Sequence, residues 1–250
     1  MAGKHPLPAD DALGDEGARG ELTPKMREYL VQVYRLCDRE GQPGAFISTS
    51  AVADSRIVSA PAVNRMIGRL RDLGLVEHEP YKGIRLTQSG EQTALKQLRR
   101  HRIIEAFLVA VMGFGWHQVH DEADQMAPAS TDALVDRMAT MSGNPTHCPH
   151  GEPIPTTEGV IADMGDMLLV DAPLHTPLVL TRVRTREPDR LEYLQALELM
   201  PGALLEVHHA APFHGPLQIK LEGTHEAYRI IGHNLAEMLR VRPAEQDSAQ

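Results

Sequence analysis

Only two cysteines occur among the 250 residues, Cys37 and Cys148, too few for a disulfide framework and in keeping with a reducing cytoplasm. No apolar run approaches the roughly 18–20 residues of a membrane span, so no membrane partner is expected. The first 20 residues are polar, with no apolar signal core, and residues 1–22 read as a disordered tail. Internal repeats are lacking. So are a Gly-rich phosphate loop, an H-E-x-x-H motif and an evident nucleophile, which disfavours a metalloenzyme.

Charge is unevenly spread. The net charge of −9 looks unsuited to a nucleic-acid partner, yet residues 25–100 carry 13 Lys and Arg against 8 Asp and Glu, a local +5. Residues 101–250 sum to −11. The positive charge therefore coincides with the segment whose pattern calls for phosphate contacts.

That segment is ISTSAVADSRIVSAPAVNRMIGRLRDLGLVEHEPYKGIRLTQSGEQTALKQL, residues 47–98. Ser and Thr at 48–50 cap a short helix. A second helix begins after Ser59 with Pro61 in its first turn and ends at Gly74. LVEHE and GIRL, joined by Pro80-Tyr81-Lys82-Gly83, form a hairpin, and Thr87 caps the next helix. Helix, turn, recognition helix and β-wing in this order place a helix in the DNA major groove. The plain alternative is a small helical domain, or an interaction module, that touches no nucleic acid. Helical geometry puts Ser59, Ala62, Asn64, Arg65 and Arg69 on the exposed face. Arg65 is placed either to pair with a guanine edge or to clamp a phosphate, and Pro61 and Ala62 offer apolar contact to a thymine methyl. On the wing, Lys82 and Arg85 are candidate phosphate ligands.

Upstream, Thr23-Pro24 opens a helix with Met26, Tyr29, Leu30, Val33, Leu36 and Cys37 on one stripe, so Cys37 reads as a buried small hydrophobe. Downstream come three helices: Gln88 to about Met112, about 116–126, and one from Ser130 or Thr131 to near Gly143. Ile103, Ile104, Phe107, Leu108 and Val111 give the long helix an apolar face suited to a homodimer interface. SGNPTHCPHGEPIPT (142–156) reads as an irregular linker. The strand-like runs MLLV, LVLTRV, ALLEVHH, LQIKL, AYRII and MLRV, with a short helix in PDRLEYLQALEL, suggest a small barrel.

Two pairs of donors stand out. His101 and Glu105 are i and i+4 on the long helix, and His120 and Asp124 are i and i+4 on the next. On adjacent antiparallel helices the pairs can converge on one cation, and imidazole plus carboxylate suits Mn²⁺, Fe²⁺, Co²⁺ or Zn²⁺. Packed or solvated histidines are the alternative. His147, Cys148 and His150 lack a second ligand pair at zinc spacing and read as a connecting loop, and His208, His209 and His214 as surface residues.

The strings EYLVQVYRL, VSAPAVNRMIGRLRDLGLVEHEPYKGIRLTQSG, LRRHRIIEAFL, VHDEAD and CPHGEPIP, in this order, resemble the diphtheria toxin repressor family of metal-dependent repressors, which includes iron-dependent and manganese transport regulators. The resemblance is strong over about 23–156 and weaker over 175–243. It implies an α+β chain: a winged helix-turn-helix over 23–87, a helical metal-binding and dimerisation domain over 88–143, a linker over 144–174 and an SH3-like barrel over 175–243. It also implies a cytoplasmic homodimer that binds a palindromic double-stranded operator near metal-uptake genes, with a divalent metal, Mn²⁺ or Fe²⁺, favouring the DNA-binding form. Ser59, Pro61 and Arg65 fall where the family contacts DNA. One family metal site maps onto His101, Glu105 and His120, with Glu187 aligned to a further ligand; the usual companion Gln aligns with Arg190, which cannot ligate.

The family's second site departs. Asp124 and, on the first helix, Glu28 remain as candidate ligands, but Ala127 and Pro128 stand where a Glu-His pair is usual. The turn before the recognition helix carries Arg56-Ile57 in place of Leu-Gly, with Arg56 a possible phosphate contact. Three outcomes stay open: metal sensing through one rearranged site, a divergent metal-independent DNA binder, or response to another signal.

Overall fold

In a computed structural model, the structure describes residues 22–39, 44–56, 59–223 and 228–244. Residues 1–21, Ile57, Val58 and the Arg56 side chain, and with them the expected tail and the Arg56 contact, lie outside those described. The chain divides into two compact units, residues 1–94 and 95–250.

In the first unit, α1 (Pro24–Arg39), α2 (Thr49–Arg56) and α3 (Ala60–Asp72) precede a hairpin of β1 (Val76–Glu79) and β2 (Gly83–Leu86). Each helix starts where its capping chemistry allows. Thr23 Oγ1 accepts from the Met26 amide at 3.3 Å, and Ser48 Oγ from the Ala51 amide at 3.1 Å. Gly74, at φ 71°, ends the α3 segment. Tyr29, Leu30, Val33 and Cys37 of α1, Val52 of α2, Val63, Ile67 and Leu70 of α3 and Ile84 of β2 are buried. The wing turn needs its glycine: Gly83 sits at φ 105°, and a Cβ there would lie 2.1 Å from the Ile47 carbonyl oxygen. Ile47 exchanges two backbone hydrogen bonds with Ile84, adding a third short segment to the wing.

Helix α4 (Gln88–Ala110) is capped by Thr87, whose Oγ1 accepts from the Gly90 amide at 3.1 Å. In the second unit the helical core is completed by α5 (Val119–Met126) and α6 (Asp132–Met141). Ile103, Ile104 and Leu108 of α4 pack with Val119 and Ala123 of α5, Val135 and Met138 of α6, and Ile154. Most of the apolar face that suggested a dimer interface is therefore covered within the chain. Val111, 41% exposed, is its open end.

Six strands follow: β3 (Met167–Leu168), β4 (Leu178–Val183), β5 (Leu204–Ala210), β6 (Leu217–Leu221), β7 (Arg229–Ile231) and β8 (Leu239–Pro243). The helices α7 (Pro188–Ala196) and α8 (His233–Ala236) interrupt them. All pairings are antiparallel, in the order β3-β8-β4-β5-β6-β7. Register shifts between Leu180 and Arg182 and between Val207 and His209 add local twist, as bulges do. Leu180, Leu191, Leu194, Val207, Ile219 and Val241 fill its interior, joined by Trp116 from the helical part. This is the α+β, SH3-like architecture expected. No helix among the described residues is long and apolar enough to cross a membrane.

Candidate metal centre and nucleic-acid interface

Helix α3 buries Val63, Met66, Ile67 and Leu70 and turns Ser59, Pro61, Asn64, Arg65 and Arg69 outward, with Ala62 half-buried. Ser59 is the extended residue at the helix start, and its hydroxyl makes no capping bond. On the wing, Lys82 Nζ lies 2.6 Å from Glu79 Oε2 and Arg85 Nη2 lies 2.6 Å from Glu77 Oε2. Both cations also lie over the Phe46 ring, Lys82 at 5.6 Å and Arg85 at 4.9 Å from its centre. These exposed pairs are worth about 0–1 kcal/mol each, so exchanging a carboxylate for a phosphate costs little.

The second unit gathers donors at a different place. His101 and Glu105 lie one turn apart on α4, and His120 stands in the first turn of α5. Glu105 Oε1 is 2.8 Å from His101 Nε2 and 2.5 Å from His120 Nδ1. All three side chains are buried, and one donor atom from each lies within 4.8 Å of the others. The His120 approach is out of line for a hydrogen bond, so neither of its ring nitrogens has a hydrogen-bond partner. Burial pushes its imidazole down to about 4, although the facing Glu105 carboxylate works the other way. Burial alone would raise the Glu105 carboxyl. The charge of His101 and its hydrogen bond to Oε1 outweigh that and hold it well below the usual carboxylate range. A neutral imidazole with unpartnered nitrogens beside an ionised, buried carboxylate suits a divalent transition cation.

Asp124 joins this centre from behind. Its Oδ1 lies 3.2 Å from His101 Nδ1, and its Oδ2 accepts from Arg186 Nη2 at 2.6 Å. Burial works against its ionisation, but the His101 hydrogen bond and the Arg186 charge hold the carboxyl well below its ordinary value. Asp124 thus orients His101, as outer carboxylates do for metal-binding histidines. Glu187 does not come to the cluster. It is exposed at the start of α7 and pairs with Arg190 Nε at 2.8 Å, while its neighbour Arg186 reaches Asp124. Glu28 lies half-buried on α1, in the first unit. Helix α5 stops at Met126; Ala127 is 1% exposed within the apolar cluster, and neither it nor Pro128 offers a side-chain donor.

Sequence reasoning missed two residues. Cys148 and His150, read as part of a connecting loop, are buried and reach Glu105 from its other side. His150 Nδ1 lies 3.9 Å from Glu105 Oε2 and 3.9 Å from Cys148 Sγ. Its ring stacks on His120, with centres 4.1 Å apart, and on Trp116 at 5.4 Å. Burial and the nearby Glu105 charge push the Cys148 thiol well above its ordinary value. Two donors separated by one proline was the only local signal; their partner carboxylate comes from another element.

Comparison with known proteins adds three family matches. Residues 21–84 match the iron dependent repressor, N-terminal DNA binding domain. Residues 87–156 match the iron dependent repressor, metal binding and dimerisation domain, and residues 167–243 a FeoA domain. The iron-dependent repressor IdeR of Mycobacterium tuberculosis is 30% identical over 135 residues, 54% of this chain and 57% of that protein. An uncharacterized HTH-type transcriptional regulator of Methanocaldococcus jannaschii is 31% identical over 117 residues, 47% of this chain and 91% of that protein. The solved structure of a manganese-dependent transcriptional repressor in complex with manganese superposes with a TM-score of 0.81 at 28% identity, covering 88% of this chain and 100% of that one.

Proposed function

The chain belongs to the iron-dependent repressor family, and on that premise we propose that it is a metal-responsive transcriptional repressor of metal-homeostasis genes. It binds operator DNA as a cytoplasmic homodimer, and the reading is of a binding protein rather than an enzyme. A divalent transition cation, Mn²⁺ or Fe²⁺ by the analogy of its relatives, is held by His101, Glu105 and His120. The observation that carries this reading is the buried meeting of Glu105 with two imidazoles, one of which has no hydrogen-bond partner on either nitrogen.

The chain's own residues divide the work. Arg65, Ser59 and Asn64 read base edges or backbone from α3, Pro61, Ala62 and Arg69 flank them, and Lys82 and Arg85 exchange their wing carboxylates for phosphates. His101 and Glu105 hold the α4 side of the centre and His120 the α5 side, with Asp124 fixing the His101 ring. The cation supplies the positive charge that these donors converge on. Helix α4, which carries His101 and Glu105, runs from Gln88 to Ala110. We assign the segments 23–87, 88–143 and 175–243 to DNA reading, cation binding with dimerisation, and the SH3-like part, with 144–174 between the last two.

Fluorescence anisotropy against DNA from the protein's own promoter region tests this, first in chelator and then with Mn²⁺, Fe²⁺, Co²⁺ or Zn²⁺ added singly. Sequence-specific binding that needs metal is the expected result. Arg65→Ala should then weaken it by about 1–3 kcal/mol. A second reading, a metal-independent DNA binder, is favoured by the donor-free Ala127 and Pro128. Equal affinity in chelator would establish it in place of the first.

A further inference from the structure

Glu105 presents its two oxygens to two different sets of donors. Oε1 faces His101 and His120, whereas Oε2 faces His150. Resting on the reading of His101, Glu105 and His120 as one cation position, we propose that Glu105, Cys148 and His150 form a second. It shares Glu105 as a bridging carboxylate and takes a thiophilic divalent cation such as Zn²⁺, Co²⁺ or Fe²⁺.

The tautomer of His150 is the first support. Its Nε2 lies 2.8 Å from the Trp116 carbonyl oxygen, which can only accept. The ring proton is therefore on Nε2, and the lone pair on Nδ1 points toward Cys148 Sγ and Glu105 Oε2, each 3.9 Å away. Without a cation only the weak, 3.9 Å thiol donor of Cys148 meets that lone pair, and a cation between the three groups would engage it far more strongly. An imidazole whose far N–H is held by a backbone carbonyl is the common arrangement at metal-binding histidines. Thiol, imidazole and carboxylate, each buried and with donor atoms within 4.8 Å of one another, make a set that a soft or borderline cation prefers.

The turn carrying these donors is also built to stay in place. Gly151 adopts φ 81°, and a Cβ there would lie 1.9 Å from the Thr181 carbonyl oxygen, so the turn lies flush on β4. The Val183 amide donates to the His150 carbonyl, and the Cys148 amide to the Glu152 carbonyl, each at 2.9 Å. From α4, Arg102 Nη1 donates to the Pro153 carbonyl at 2.6 Å, and Arg102 Nη2 lies 3.1 Å from Glu152 Oε2. The donors therefore face Glu105 from two ordered elements. Coordination releases the thiol proton to solvent.

Anaerobic titration of the reduced full-length protein with Co²⁺ tests the proposal, read by visible d–d bands, by thiolate-to-cobalt charge transfer in the near ultraviolet, and by bound metal per protomer. Wild type should show the charge-transfer band and two equivalents. Cys148→Ser should lose the band and one equivalent, Cys37→Ala neither, and His101→Ala should keep the band while losing the other equivalent. Co²⁺ binding by wild type without the band overturns the proposal whatever the variants do. A band lost on His101→Ala overturns it too, since one mixed site would then hold all the donors. If instead His101→Ala and His120→Ala leave stoichiometry and spectrum unchanged, the first position fails and the thiolate position stands by itself.

Discussion

The two ends of α5 face opposite chemistries. At its start His120 is buried against Glu105 with both ring nitrogens lacking hydrogen-bond partners; at its end Ala127 is buried more deeply, but among Val119, Ala123, Val135 and Met138. The first end keeps desolvated polar atoms, which cost about 1–3 kcal/mol each unless something partners them. The second end makes apolar contact that stabilises the fold unaided. One short helix thus carries candidate donor chemistry at its start and ordinary core packing at its end.

The largest effect should come from the polar end. Glu105→Gln keeps the shape but removes the charge on which two or three imidazoles converge. Metal-dependent operator binding should disappear in the anisotropy titration, and cation affinity should fall by more than the roughly 10–100-fold typical of losing an outer partner. Retained metal response would remove the contrast by showing that this end, too, is only packing.

At the apolar end, Ala127→Glu attempts to restore a donor. An unpaired carboxylate in that cluster should cost on the order of 3–5 kcal/mol, seen as a lowered Tm in chelator. Recovery of the wild-type Tm on adding Mn²⁺ would mean that the second half of the motif is dormant and recoverable.

How much of this was legible beforehand follows from the range of each interaction. His101, Glu105 and His120 could be found because helical spacing places the first two on one face. The wing and the strands among the described residues were legible as short apolar, β-rich runs bounded by turn residues. Cys148 and His150 were not, because their partner carboxylate belongs to α4 and is brought near only by the docking of the turn on α4 and β4. Glu187 was picked by alignment, but its charge is satisfied one turn away by Arg190, and the residue that reaches the site is Arg186. Likewise, an apolar face on α4 reveals that something covers Ile103 and Leu108. It does not reveal that α5, α6 and Ile154 do so.

Acid should separate the two ends with a smaller effect. The His120 imidazole is held near 4 in the folded chain, against about 6.5 for an unperturbed histidine. Folding therefore favours its neutral form. That contribution is fully present above pH 6.5 and is lost as pH falls toward 4. Across this window it amounts to on the order of 3 kcal/mol. Glu105 and Asp124, both depressed, add losses of the same sign at lower pH. Denaturant melts in chelator should show stability falling from pH 6.5 to 4, and His120→Gln should flatten the upper part of that fall. An equally steep fall in His120→Gln would place the titrating group elsewhere.

The smallest effect belongs to Asp124, which stands between the two ends. Its oxygens are already occupied by His101 Nδ1 and Arg186 Nη2, so it acts through the ring it holds. Asp124→Asn should lower cation affinity by about 10–100-fold, and Arg186→Gln by about 10-fold or less, both measured by competition with a chelating dye. Because the two residues form one chain of contacts, the double variant should lose less than the sum of the single losses. Were Asp124→Asn as damaging as Glu105→Gln, Asp124 would itself have to ligate. The boundary between the donor half and the core half of α5 would then lie one turn later, after Asp124.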